Sequence, residues 1–367
     1  MSTVNRRKFL KGAAVAGAAS TAVAAPAIAQ SMPEVKWRQT ASWPKSLETL
    51  YGSAEHIAKR VSELTDGKFQ IQTFAAGELV PALQVLDAVQ NGQVECGHTA
   101  LYYYFGKDDT FVFGSALPFG MNTRIQNAWL LHGGGWELLN EFLGNYNCHF
   151  IPGSNTNCQM GGWFRKEITK MDDLKGLKFR LGGFAGKIMQ RVGVVPQQIG
   201  AGDIYPALEK GTIDGAEWVG PYDDEKLGFY KVAKVYHYPG WWESTSTGGF
   251  IANKEKFAAL PKLYKEALTS AVLETNGWGS AKYDQVNPSA LKRLVAGGAQ
   301  LKPFSPEVMD GCYKAAQELY AEINKTNPAF KKIYDSYTAF MADGYLWHQV
   351  ADYTMDSYMI RYRNQKT

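Results

Sequence analysis

The period of hydrophobic positions switches repeatedly along the first hundred residues. Val35-Lys-Trp-Arg-Gln-Thr-Ala41 alternates apolar and polar positions, as a half-buried strand does. Leu47, Leu50, Ala54, Ile57, Val61 and Leu64 then recur at spacings of three and four. That spacing predicts an amphipathic helix, started by Ser46 and stopped by Asp66-Gly67. Phe69-Gln-Ile-Gln-Thr-Phe74 alternates again as a strand, Gly77 to Pro81 reads as a loop, Ala82 to Gln90 as a helix and Val94 to Thr99 as a strand. This βαβα order with short connections predicts an α/β fold, with a mostly parallel sheet covered by helices.

The middle of the chain repeats the pattern. Gly176-Leu-Lys-Phe-Arg180 reads as a strand running into Gly182, Gly183 and Gly186, followed by a helix and Pro196-Gln-Gln. A second helix closes on Lys210-Gly211, and Thr212-Ile-Asp-Gly-Ala-Glu-Trp218 follows as a strand. Residues 88–99 and 207–218 align without a gap as helix, glycine and strand, with an acid third in each strand. Either a short common unit recurs by chance, or the chain has two lobes of similar build. In the second case His98-Thr99 and Glu217-Trp218 end their strands at a shared cleft, where open α/β sheets bind small ligands.

Other segments are less decided. Tyr102-Tyr-Tyr-Phe105 is a core plug or a pocket wall, and Ile125 to Leu143 a helix interrupted at Gly133-Gly-Gly135. Asn155-Thr-Asn-Cys-Gln159 is a polar stretch. Tyr236-His-Tyr-Pro-Gly-Trp-Trp-Glu243 adds rings and an acid. Thr247 to Asn253 reads as a strand returning to the first lobe, and Leu260 to Tyr283 as a helix. From Ser305-Pro306 onward the chain is nearly all helix, broken near Asn327-Pro328. Its last part, Tyr345 to Tyr362, carries exposed-looking aromatics for its own domain or for a partner.

A length of 367 residues suits two domains, and 45% hydrophobic residues suffice for real cores. Asn5-Arg-Arg-Lys-Phe-Leu-Lys11, an uncharged Ala/Gly/Val run and Ala27-Ile-Ala29 before Gln30 resemble a twin-arginine export signal cleaved after Ala29. An uncleaved anchor is the other reading, against which the weakly hydrophobic Ala/Gly composition counts. Removing Arg6, Arg7, Lys8 and Lys11 leaves 35 of the 39 basic residues against 35 acidic ones. The apparent basicity belongs to the signal, so nucleic-acid binding has no electrostatic basis. Cys96, Cys148, Cys158 and Cys312 lack metal-ligand spacing, as do the six histidines. Cys148 and Cys158 are either a disulfide of an exported chain or free thiols.

Four side chains carry the candidate chemistry: Arg180, Glu217, Glu243 and Gln159. An arginine fork is the natural partner of a carboxylate. Glu217 and Glu243 both adjoin tryptophans. With one amide oxygen they suit a hard cation, or an acid/base pair. The GGxxG glycines lack the acid of a dinucleotide site and allow tight turning and close approach to an anion. With no activated nucleophile or Ser/His/Asp grouping in view, an enzyme lacks its central part.

The export signal, Gly176-Leu-Lys-Phe-Arg180, Gly193-Val-Val-Pro196 and Lys210-Gly-Thr-Ile-Asp-Gly-Ala-Glu-Trp218 resemble the extracytoplasmic solute receptors of TRAP transporters, the DctP type. Glu217-Trp218, Gly220-Pro-Tyr-Asp-Asp224 and Pro239-Gly-Trp-Trp-Glu243 are similar to the α-keto-acid-binding members. The resemblance implies a two-lobed periplasmic binding protein (type II-like) with hinge strands and a long C-terminal helix. By position it implies lobe I over 30–152, lobe II over 153–243, a return to lobe I over 244–304, and a dimerising helical segment over 305–367. It implies that Arg180 pairs the ligand carboxylate, and that Tyr103, Tyr104 and Asn155 complete the pocket. Gln159, Glu217, the Trp218 carbonyl and Glu243 would hold Na+, with Ca2+ as the other possibility. The implied partners are a 2-oxo acid such as pyruvate, a membrane permease and a second copy of the chain. A lactate receptor using Ca2+ and a secreted metal-dependent hydrolase or lyase are the competing readings.

Overall fold

The computed structural model describes residues 32–364, and the compact body begins at Val35. The expected export signal and its cleavage site lie outside the described residues. The first sheet forms from strands β1 (Val35–Ala41), β2 (Phe69–Phe74), β3 (Cys96–Thr99), β4 (Cys148–Asn155) and β10 (Thr247–Asn253), in the order β2-β1-β3-β10-β4. β1 pairs in parallel with β2 and β3, whereas β10 runs antiparallel to β3 and β4. Helices α1 (Leu50–Leu64), α2 (Val85–Gln90), α3 (Thr123–His132) and α4 (Gly135–Leu143) belong to this lobe. The apolar stripe read from the sequence is the buried face of α1: Leu50, Ala54, Ile57 and Val61 are all buried.

The second sheet holds β5 (Gly162–Phe164), β6 (Lys178–Arg180), β7 (Val195–Gln197), β8 (Gly215–Ala216), β9 (Val235–Tyr238) and β11 (Gln300–Pro303), in the order β11-β9-β5-β8-β6-β7. Helices α5 (Ala185–Arg191), α6 (Ala201–Glu209) and α7 (Pro221–Leu227) lie between these strands in sequence. The internal echo is structural. α2 and α6 each run through a positive-φ glycine, Gly92 at 69° and Gly211 at 70°, into a strand of their own sheet.

Two strands connect the lobes, and the sequence reading missed one of them. β4 carries Pro152-Gly153, which looks like a strand breaker. A shift in the β4–β10 register between Gly248 and Gly249 accommodates it, because a bulge tolerates a residue with no N–H to offer. The expected return segment, 244–304, is also corrected at its end. β11 pairs with β9 in the second sheet, not in the first.

After α8 (Lys254–Ala259), α9 (Lys262–Ala296) is longer than the sequence suggested. It packs on β4 and α1 in one lobe and on α7 in the other. It passes through Pro288 because its far half is held: Leu294 is buried and Asn287 Oδ1 accepts from Tyr222 N at 3.1 Å. α10 (Pro306–Thr326) and α11 (Pro328–His348) meet at Asn327, whose side chain caps α11 by accepting from Phe330 N. A π turn at Gln349–Tyr353 leads into α12 (Thr354–Asn364). Among the described residues no helix is long and apolar enough to cross a membrane.

Candidate functional site

The second lobe offers Arg180 from the end of β6, and Glu217 and Trp218 from the end of β8. The first lobe offers Trp43 after β1, and Tyr102 and Tyr103 after β3. The crossing segments add Gln159 and Glu243. Arg180 is only 2% exposed although it carries a full charge. Its Nε donates to the Ile199 carbonyl at 3.1 Å, and its Nη1 donates to both the Glu217 carbonyl (2.6 Å) and Glu217 Oε1 (2.7 Å). None of these bonds uses Nη2. The guanidinium also lies 4.7 Å from the centroid of the Trp218 ring, a cation–π contact.

Each acid uses one oxygen and leaves the other without a partner. Glu217 Oε1 accepts from Arg180 and from Gly182 N, and Glu243 Oε2 accepts from Gln159 Nε2 and from Tyr102 OH at 3.2 Å. Glu217 Oε2, Glu243 Oε1 and Gln159 Oε1 are buried with no hydrogen-bond partner. Leaving one such oxygen unmet costs roughly 1–3 kcal/mol, and more when it is charged. Burial raises the Glu217 pKa, against the pull of Arg180. Burial, then repulsion from Glu217, lifts that of Glu243 well above the usual carboxylate range. Three buried oxygens, two of them from acids pressed toward protonation, are the kind of donors a hard cation takes. Among the described residues no cluster of three or more His, Cys, Asp or Glu could hold a metal ion.

Trp43, Tyr102, Tyr103, Thr156, Gln159, Arg180, Trp218, Val219 and Ser246 line a cavity of about 20 Å³ between the lobes. That volume holds little more than a water molecule. A larger solute needs the residues around this cavity to move apart. A larger depression of about 380 Å³ lies over Arg165, Asp173 and Asp214, well away from the buried acids.

A family model described as bacterial extracellular solute-binding protein, family 7 (DctP), matches residues 40–327. The chain belongs to this family. A monocarboxylate 2-oxoacid-binding periplasmic protein of Nostoc sp. is 46% identical over 97% of this chain and 99% of the relative. A TRAP transporter solute-binding protein of Bordetella bronchiseptica RB50 was solved as a mixed-occupancy dimer, with calcium and picolinate in one site. It is 49% identical with a TM-score of 0.90, over 91% of this chain and all of the other. A TRAP periplasmic solute-binding protein of Pseudoalteromonas atlantica T6c, solved with sodium and pyruvate, is 35% identical with a TM-score of 0.86, over 88% and 99%. As the resemblance implied, the fold is that of the two-lobed TRAP periplasmic receptors. The family's activity is solute binding, and its place is outside the cytoplasmic membrane.

Within this family-7 protein, the structure brings Tyr103, Arg180, Glu217, Trp218, Gln159 and Glu243 together. Two expected pocket residues lie elsewhere. The Tyr104 hydroxyl points into the first lobe, bonded to Thr99 Oγ1 (3.0 Å) and Leu86 N (3.1 Å). Asn155 Oδ1 is taken up in the hinge by Thr245 Oγ1, Thr123 Oγ1 and Asn157 N. His98, expected at the cleft, is fully buried and accepts at Nδ1 from Trp43 Nε1 at 2.8 Å. Burial holds its pKa near 4, so a neutral imidazole fixes Trp43, whose ring meets Trp218 edge-on at 6.2 Å. Sequence reasoning missed Trp43, and had Tyr102 only as part of an aromatic run read as a core plug or a pocket wall. Each follows directly on a strand's C-terminal end, which was the available signal. Cys148 and Cys158 are free; Cys148 opens β4 and Cys158 lies three residues past its other end. Eight strand residues at ~3.3 Å each separate them beyond any disulfide's reach.

Proposed function

We propose that the protein is the periplasmic receptor of a TRAP transporter, binding a 2-oxo monocarboxylate such as pyruvate together with a cation and passing it to a membrane permease. The observation that carries this reading is the trio of buried, partnerless oxygens beside a buried arginine. Arg180, Glu217 and Glu243 sum to one net negative charge, and a ligand carboxylate would make it two. A cation offsets that charge and lets an anion enter beside two glutamates. Gln159 Oε1, Glu217 Oε2, Glu243 Oε1 and the Trp218 carbonyl would hold it. Arg180 takes the ligand carboxylate with its fork, Tyr103 and Trp218 flank the ligand, and Trp43 and Tyr102 close over it. Tyr104 and Asn155 support this pocket from behind and from the hinge.

Na+ is the proposed ion. The relative solved with sodium and pyruvate favours it, and the one solved with calcium keeps Ca2+ as the second reading. No catalytic step is proposed. His98 beside the cleft is engaged by Trp43, and in this reading both acids serve the cation. Export through the twin-arginine signal with cleavage after Ala29, and pairing of two copies through the C-terminal helix, complete the proposal.

Titration calorimetry and tryptophan fluorescence test it. Pyruvate in Na+ should bind one per chain with a fluorescence change. Binding of lactate in Ca2+ alone would sink the 2-oxo-acid reading, and consumption of pyruvate would restore the hydrolase or lyase class.

A further inference from the structure

A second contact crosses between the lobes through residues that do not line the pocket. Thr49 immediately precedes α1, with a helical backbone (φ −81°, ψ −62°), and its side chain makes no capping bond to that helix. Its Oγ1 instead donates to Asp223 Oδ1 of α7, in the other lobe, at 2.6 Å. Tyr283 OH, from α9, donates to Asp223 Oδ2 at 2.6 Å. All three side chains are buried, with Asp223 at 0% exposure and Thr49 at 1%. The first turn of α1 contains no acid of its own. The carboxylate that complements its positive end comes from across the cleft, where burial strengthens the attraction. Around this centre Glu48 accepts from Tyr222 OH (2.8 Å) and Lys226 Nζ (2.9 Å), and its carbonyl accepts from Lys282 Nζ (2.9 Å).

We propose that Thr49 and Asp223 form an inter-lobe latch that sets how much of the protein is closed and how long it holds its solute. A buried, charge-assisted hydrogen bond made between the lobes exists only while they are closed, so it stabilises closure. When the lobes part, Thr49 loses Asp223 and both groups gain water. The latch thus acts through a population shift: apparent affinity scales with the closed fraction although neither residue lines the pocket. Asp223 remains tethered to α9 through Tyr283, so Thr49 carries the separable half. The latch rests on the receptor reading given above, but it is tested without a ligand.

Spin labels at Leu64→Cys in α1 and Lys210→Cys after α6, in a Cys158→Ser background diluted with unlabelled protein, report the distance between lobes within one chain. Thr49→Val should deplete the short-distance population by about tenfold, the effect of losing one buried charge-assisted hydrogen bond, and speed pyruvate release by a similar factor. Thr49→Ser should restore both. Distance distributions identical in wild type and Thr49→Val would overturn the latch, as would a wild type with no short-distance population with or without pyruvate. If wild type simply fails to bind pyruvate, the receptor reading falls, and the ligand-free distances still decide the latch.

Discussion

Arg180 donates to both the carbonyl and the carboxylate of Glu217, so one residue orients the guanidinium from two sides. Only a planar fork serves those acceptors, Ile199 and a ligand together. Arg180→Lys should therefore weaken pyruvate binding by at least about 2 kcal/mol, read by calorimetry, since a single ammonium leaves buried acceptors unmet. Glu243→Gln removes one of the three partnerless oxygens' charges and should weaken the cation dependence of binding by about tenfold or more, measured by titrating Na+ at fixed pyruvate. Asp224 gives a pH test. It is buried, accepting from Trp163 Nε1 and Tyr236 OH, and burial lifts its pKa to about 7. In the unfolded chain the value returns to ~3.9. The native state therefore holds the extra proton between those values. Its contribution is full below about pH 4 and is lost as pH rises through about 7. Asp224→Asn should gain stability relative to wild type between pH 5 and pH 8, by on the order of 1 kcal/mol or more, as chemical denaturation at the two pH values would read.

At the scale of elements, the loop after β6 shows why its glycines are there. Gly183 has a φ of 64°, and a Cβ on it would meet the Tyr102 ring at 2.2 Å. The sequence reading had these glycines approaching an anion. In the structure Gly182 and Gly183 admit a tyrosine of the opposite lobe, whose hydroxyl goes on to Glu243, while Gly186 faces Pro196. Gly183→Ala should leave the second lobe folded but impede closure. Pyruvate affinity should drop by at least about tenfold, with the unfolding midpoint moved only by the strain of one positive-φ alanine. An unchanged affinity would mean that Tyr102 does not come this close in the bound state. The strands that end in site residues were legible because their periodicity and glycine stops are local. β4 was not, because its Pro152-Gly153 is tolerated only by a bulge against β10, almost a hundred residues away in the chain.

Among the described residues, large exposed apolar side chains gather toward the C-terminal end. α11 is anchored by Phe330, Ile333 and Tyr337, all buried. Beyond Tyr345 the anchoring ends: Leu346 and Val350 are each 66% exposed, and Trp347 and Ile360 are 60% and 62% exposed. Large apolar side chains exposed together along one segment point to a protein interface. Trp347→Glu with Ile360→Lys should convert a dimer to a monomer in sedimentation velocity, with pyruvate binding retained. A wild type already monomeric at micromolar concentration would rule the pairing out.

By itself the sequence determined the α/β class, the recurrence of a helix–glycine–strand unit in two halves, and the residues carrying charge at strand ends. These depend on local periodicity and on which side chains can pair an anion or a cation. Tertiary structure alone decided which tyrosine faces the pocket, that His98 serves Trp43, that β11 joins the second sheet, and that Thr49 bonds Asp223. Each of those is a choice between partners far apart in the chain. The choice turns on burial and on which polar groups are left unmet when two lobes close, quantities that no local pattern contains.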